Sequence, residues 1–144
     1  MVTFYKCNTC GNQIVKIVDG GGNLTCCNKA ISELIPGSTD GALEKHVPVL
    51  ISDKVCECVC DAEKNCDTNE AIHLVQIQVG SEMHPATDTH HIEWIAIETD
   101  KSFQIKSINP GDEPTVDFCI KDCEKINSIF AFCNLHGLWE GTVG

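Results

Sequence analysis

The chain has 144 residues, a net charge of −11, 42% hydrophobic residues and 11 cysteines. All ten basic residues are lysine, and so acidic a chain is a poor partner for nucleic acid or an anionic membrane, while an anionic substrate would need a local positive site. No run of about 18 apolar residues occurs, which excludes a membrane-spanning helix.

The first residues, Met1 to Lys6, lead straight into Cys7 and leave no room for a signal peptide. A cytoplasmic location is therefore expected, where thiols stay reduced and metal binding is the better use of many cysteines. The odd cysteine count also opposes complete disulfide pairing within the chain. Cys7-Asn8-Thr9-Cys10-Gly11 is a C-x-x-C followed by glycine, a turn whose backbone N–H groups can approach thiolates. Ile14–Val18 reads as a short strand and Asp19–Asn23 as a glycine-rich turn, followed by the adjacent pair Cys26 and Cys27. A hairpin here would carry the second cysteine pair back to the first and place four thiolates around one ion. Neighbouring strand residues point to opposite faces, so Cys26 and Cys27 can share an ion only with local distortion. Four thiolates suit tetrahedral iron, for electron transfer, or zinc, as a staple for a module too small to fold alone.

Pro36–Gly41 reads as a linker, and the expected division is a cysteine module over residues 1–37 and a larger domain over 38–144. Past it, strand signals recur: alternation at Val47, Val49 and Ile51, alternation at Val75, Ile77 and Val79, and β-prone runs at 92–97, 103–105, 116–118 and 129–132. Turn residues such as Asn109-Pro110-Gly111-Asp112 separate them. Six or seven short strands at this spacing predict an all-β chain, with an antiparallel β-sandwich of immunoglobulin type after the cysteine module.

Three segments of this body carry metal-ligand chemistry. Cys133 and His136 lie three residues apart in a loop after the last strand signal. A soft sulfur and a borderline nitrogen this close suit a transition metal such as iron, zinc or copper. His84 and His90 flank a Pro-containing loop, and His46 lies at the expected start of an early strand. Four histidines and one cysteine are too many for a tetrahedral structural zinc site. Five protein ligands would leave a sixth position open, which points to chemistry. His73 and His91 are read as ordinary imidazoles; His91 follows His90 directly and would face the other way.

Residues 4–27, from Phe4-Tyr5-Lys6-Cys7 to Cys26-Cys27, resemble the desulforedoxin module. Glu44-Lys45-His46-Val47-Pro48-Val49, the stretch from His84 to Trp94, and Cys133-Asn134-Leu135-His136-Gly137-Leu138-Trp139 resemble the superoxide reductase domain. Together they are similar to the two-iron desulfoferrodoxins. The resemblance implies one iron on Cys7, Cys10, Cys26 and Cys27, a site that zinc can also occupy. It implies a second iron with His46, His84, His90 and His136 as equatorial ligands and Cys133 as the axial one. Glu44 would bind the sixth position in the ferric state, and Lys45 would flank that position. The methionine that often follows His-Pro in the family is Ala86 here, which is not a ligand. The implied activity is one-electron reduction of superoxide to hydrogen peroxide, with electrons from a rubredoxin-type donor, in a protein expected to form a homodimer.

The stretch 54–72 departs from the family pattern. Cys56, Cys58 and Cys60 would share one face of a strand, with Cys66 close by. A further metal there is weighed against an acidic hairpin with free thiols, and the hairpin is preferred, as unliganded thiols are for Cys119 and Cys123. Two other functional classes compete with the reductase: a pure electron carrier and a metal-binding storage or structural protein.

Overall fold

The computed structural model describes residues 1–56 and 71–143. It is all-β with antiparallel sheets, as expected. Strands β1 (Thr3–Lys6), β2 (Gln13–Lys16), β3 (Thr25–Cys26), β4 (Lys29–Ala30) and β5 (Ser32–Leu34) belong to the N-terminal part. A one-turn helix, α1 (Leu43–His46), precedes β6 (Pro48–Cys56), β7 (Ile72–Val79), β8 (Ile92–Thr99), β9 (Phe103–Ser107), β10 (Thr115–Lys121), β11 (Ile126–Cys133) and β12 (Gly137–Gly141). Two sheets form the sandwich, ordered β10-β7-β6 and β12-β11-β8-β9. Cys58, Cys60 and Cys66, with the side chain of Cys56, lie outside the described residues, and so does the question of a metal there. Among the described residues no helix is long and apolar enough to cross a membrane.

Alternation sets the core. Val75, Ile77 and Val79 of β7, Phe118 and Ile120 of β10, Ile95 and Ile97 of β8, and Ile129, Ala131 and Cys133 of β11 form one buried cluster between the sheets. The other face of the four-stranded sheet is also covered. Trp94, Ala96, Phe130, Phe132 and Leu138 pack there with Val2 and Phe4, and Phe4 stacks on Trp94 at 5.1 Å between ring centroids. The N-terminal sheet β2-β1-β5 thus forms a third layer, and β8 and β11 are buried on both faces.

Three register shifts interrupt the ladders: one between Ile126 and Ser128, and two that adjust the side-chain faces. Between β6 and β7, Leu50 pairs with Ile77 and Ser52 with Gln76, so Ile51 is the extra residue and is exposed while Leu50 packs on the core. Between β8 and β11, Phe132 pairs with Trp94 but Cys133 pairs with Ile92. Glu93 is the extra residue, and its insertion lets Ile92 and Ile95 both face the inner core. The same irregularity places Cys133 at the open end of that core.

His46 does not begin a strand. It ends α1, where its Nδ1 lies 2.8 Å from the Ala42 carbonyl four residues back. Such a local i−4 contact needs a helical turn, and one turn is too short to leave a 3.6-residue pattern in the sequence.

Candidate metal centre

Two groups of side chains converge. His46, His84, His90, Cys133 and His136 each offer one ligand atom, and all five atoms lie within 4.8 Å of one another. Cys7, Cys10, Cys26 and Cys27 converge in the same way. His73 and His91 belong to neither group. His73 sits between two carboxylates, with Nδ1 2.7 Å from Asp53 and Nε2 2.8 Å from Asp122, and His91 Nδ1 faces the Thr87 carbonyl at 3.1 Å. Cys119 and Cys123 are exposed free thiols.

In the five-residue group the ligands arrive from three segments at one end of the sandwich. His46 comes from α1, His84 and His90 from the β7–β8 connection, Cys133 from the last position of β11 rather than from a loop, and His136 from the β11–β12 turn. His46 Nδ1 against the Ala42 carbonyl and His84 Nδ1 against the Pro85 carbonyl at 2.7 Å act as donors, so both rings present an Nε2 lone pair inward. His46 Nε2 and His136 Nδ1 are 2.8 Å apart, and His136 Nδ1 is 3.6 Å from Cys133 Sγ. The Nε2 atoms of His84 and His90 are buried without a hydrogen-bond partner. Two orphaned imidazole nitrogens in one polar nook are costly unless a cation takes their lone pairs. Ligands on opposite sides of one ion lie about 4–4.6 Å apart with bonds of ~2.0–2.3 Å. The convergence therefore fits one transition ion.

Burial favours the neutral form of three of these imidazoles. It pushes His84 down to about 4, against the pull of the Pro85 carbonyl, and it lowers His46 and His90 as well. Burial raises the Cys133 thiol, while the backbone N–H groups of His136 and Leu135 act the other way and favour the thiolate. Glu44 and Lys45 lie outside the converging atoms, exposed on α1. Their charges reach the site nevertheless: Glu44 raises His46, whereas Lys45 lowers both His46 and His90.

The walls include residues whose role lies in packing. Trp139 stacks on His46 at 4.9 Å and donates its Nε1–H to the His136 carbonyl at 3.0 Å. Thr39 also donates to that carbonyl, and Gly37 N–H reaches the Leu138 carbonyl at 2.8 Å. A Cβ on Gly41 would stand 2.9 Å from the Trp139 ring and 3.3 Å from His46. The stretch that reads as a linker is thus one wall of the site. Gly80 has φ +84°, and a Cβ there would stand 2.8 Å from the Lys45 carbonyl and 2.9 Å from that of Glu44. Glycine lets the β7–β8 turn grip α1 through Gly80 N–H to Val47 O at 3.0 Å and Glu82 N–H to Glu44 O at 2.9 Å. Close approaches of this kind leave no sequence signal beyond the glycine itself.

The four-cysteine group resolves the difficulty of adjacent ligands. Strands β3 and β4 form a hairpin whose two turn residues, Cys27 and Asn28, have φ of 52° and 60°. Positive φ at both central positions is the primed turn that suits a two-residue hairpin. It swings Cys27 round to join Cys26, whose Sγ is 3.5 Å from Cys10 Sγ and accepts from Asn12 Nδ2 at 3.7 Å. The N–H groups of Cys10 and Thr9 pull Cys7 down to about 6, while hydrogen bonding to Cys10 first, then burial, pushes Cys27 up to about 12. Four sulfurs this close, with very different proton affinities, suit a tetrathiolate ion.

Comparison with known proteins agrees with this geometry. A family model described as Desulfoferrodoxin matches residues 38–142, and one for the desulfoferrodoxin N-terminal domain matches residues 2–34. The chain is 38% identical over 136 residues to a desulfoferrodoxin of Nitratidesulfovibrio vulgaris, covering 94% of this chain and 92% of that one. It is 35% identical over 136 residues to a desulfoferrodoxin homolog of Archaeoglobus fulgidus, covering 94% and 93%. The crystal structure of the superoxide reductase from Treponema pallidum superposes with a TM-score of 0.71 at 27% identity, covering 99% of both chains. With both family models placed in order along one chain, and both side-chain groups assembled within them, this protein belongs to the desulfoferrodoxin family.

Proposed function

We propose that the chain is a superoxide reductase, an oxidoreductase that converts superoxide, one electron and two protons into hydrogen peroxide. The observation that carries this reading is the group of four imidazoles and one buried cysteine sulfur, two of whose inward nitrogens have no other partner. Relatives that share the family and a similar structure titled superoxide reductase support it. An iron ion held by His46, His84, His90, His136 and Cys133 would supply the electron. The thiolate of Cys133 makes that ion a better donor, and the N–H groups of Leu135 and His136 hold the sulfur in place. A divalent ion with one thiolate and four neutral imidazoles leaves a local charge near +1, which suits an anionic substrate.

Lys45 adds a second positive charge beside His46 and His90. Its task is to draw superoxide through the field of an acidic body and to orient a proton-bearing water. Glu44, on the same turn, would be the carboxylate able to bind the ion after oxidation. Cys7, Cys10, Cys26 and Cys27 would hold a second iron, or zinc, within the 1–37 module, and the 38–144 domain would carry the reaction. A rubredoxin-type protein returns the electron, and the working protein is a cytoplasmic homodimer.

Fast-mixing kinetics of the reduced protein with superoxide test this. Lys45→Ala should lower the second-order rate constant by about tenfold or more and flatten its dependence on salt, as loss of a steering charge does. Glu44→Ala should leave that step intact. A reduced protein that does not react with superoxide, or a Lys45→Ala variant indistinguishable from the parent, would contradict the reading.

A further inference from the structure

We propose that Asn134 is a positioning residue that fixes His90 relative to Cys133 and His136, so that two separate ligand loops hold one ion. The inference rests on the five-residue group binding a metal and adds a residue outside that group.

Asn134 lies between Cys133 and His136 in sequence, yet its side chain reaches the other loop. Its Oδ1 accepts from His91 N–H at 2.9 Å, and its Nδ2–H donates to the Thr89 carbonyl at 3.0 Å. Its own backbone N–H donates to the His91 carbonyl at 3.1 Å. Three hydrogen bonds from one residue therefore bracket His90 on both sides in the chain. The fourth side of this frame is closed by Thr87, whose Oγ1 accepts from His90 N–H at 3.0 Å.

The clamp stands where the sheet stops holding the loops together. The last β8–β11 pair is Cys133 with Ile92, reached through the bulge at Glu93. Beyond it, among the described residues, no further ladder pair ties the His84–His90 loop to the Cys133–His136 turn. The Asn134 amide continues that link as a side chain that mimics a strand, with one donor and one acceptor facing the matching backbone groups. His90 needs the help because its Nε2 is buried with no hydrogen-bond partner and, among the described residues, no carbonyl anchors its ring. His46 and His84, by contrast, are anchored through Nδ1 to nearby carbonyls.

The test uses the full chain loaded with ferrous iron, and separately with Co(II), whose thiolate bands report ligand geometry. Asn134→Ala removes both side-chain bonds. Asn134→Asp keeps the acceptor for His91 N–H but sets a carboxylate oxygen against the Thr89 carbonyl. Both variants should lose iron from the five-residue site to a chelator more readily, by about 10–100-fold in affinity, the range seen when partners behind metal ligands are removed. Both should shift the Cys133 thiolate-to-metal band, while the bands of the four-cysteine centre stay fixed as an internal control. Unchanged retention and an unchanged Cys133 band in either folded variant would overturn the clamp. So would parallel changes at both centres, which would mark general loosening of the fold. A parent protein that retains no metal dependent on Cys133 would overturn the underlying reading as well, which separates the two failures.

Discussion

The buried and unpartnered Nε2 atoms of His84 and His90 are the side-chain atoms that most directly ask for a cation. Their residue types and spacing are visible in the chain, and so are Cys133 and His136. What spacing does not give is which ring nitrogen faces inward: for His84 the Pro85 carbonyl occupies the other one, and for His46 the Ala42 carbonyl does. Gly80 is a second case. Its φ of +84° and the crowding by the Glu44 and Lys45 carbonyls make it obligatory, yet one glycine after a strand looks like any turn. Gly80→Ala should destabilise the protein by about 1–3 kcal/mol, since a non-glycine residue at such a φ is strained. It should also slow the reaction with superoxide, because α1 carries His46, Glu44 and Lys45 on the far side of that contact. Denaturant titration and the superoxide rate constant check the two halves separately.

At the scale of elements, the sandwich strands were legible from their alternation, and β7 shows it plainly with Val75, Ile77 and Val79 inward. The strands β8 and β11 show the opposite pattern, near-continuous apolar runs, because the N-terminal layer covers their second face. Phe4 is the centre of that cover, touching Trp94, Phe103 and Phe130. Phe4→Ala should cost about 3–5 kcal/mol, the range for losing a buried aromatic ring. Thermal unfolding should show the loss, with the four-cysteine layer released from the sandwich first. The helix α1 and the bulges at Ile51 and Glu93 were not legible, since each is a shift of one residue or one turn within a segment whose composition still reads as strand.

His73 makes an element-scale prediction about pH. It joins β7 to Asp53 on β6 and to Asp122 just beyond β10, so one ring ties all three strands of that sheet. Hydrogen bonding to Asp53 first, then to Asp122, raises its pKa above the ordinary histidine value. A raised folded-state pKa stabilises the fold most fully below the unfolded value near ~6.5 and loses that contribution as pH climbs through the folded value. His73→Gln should therefore lower the unfolding temperature in mildly acidic buffer. The gap between variant and parent should narrow above the folded pKa of His73. A gap that stays constant or widens with pH would remove the charged clamp.

Across the whole molecule the charge is uneven. Residues 1–37 carry three lysines against two acids, whereas the rest of the chain carries seven lysines against nineteen acids. The body that holds the five-residue group is thus strongly repulsive to an anion, and under the proposed function Lys45 with a bound cation would have to reverse the field locally. The order of the two metal groups along the chain was legible from cysteine and histidine spacing. Their assembly into three packed layers was not, because it depends on the two-sided burial of one sheet. The most direct test of the account is stoichiometry: superoxide consumed, peroxide formed and oxygen released by the iron-loaded protein with an excess of electron donor. Superoxide reduction gives equal amounts of superoxide consumed and peroxide formed, with no oxygen release, and the activity should be lost in Cys133→Ser. Oxygen released together with half as much peroxide would mean dismutation, and would contradict the reductase reading.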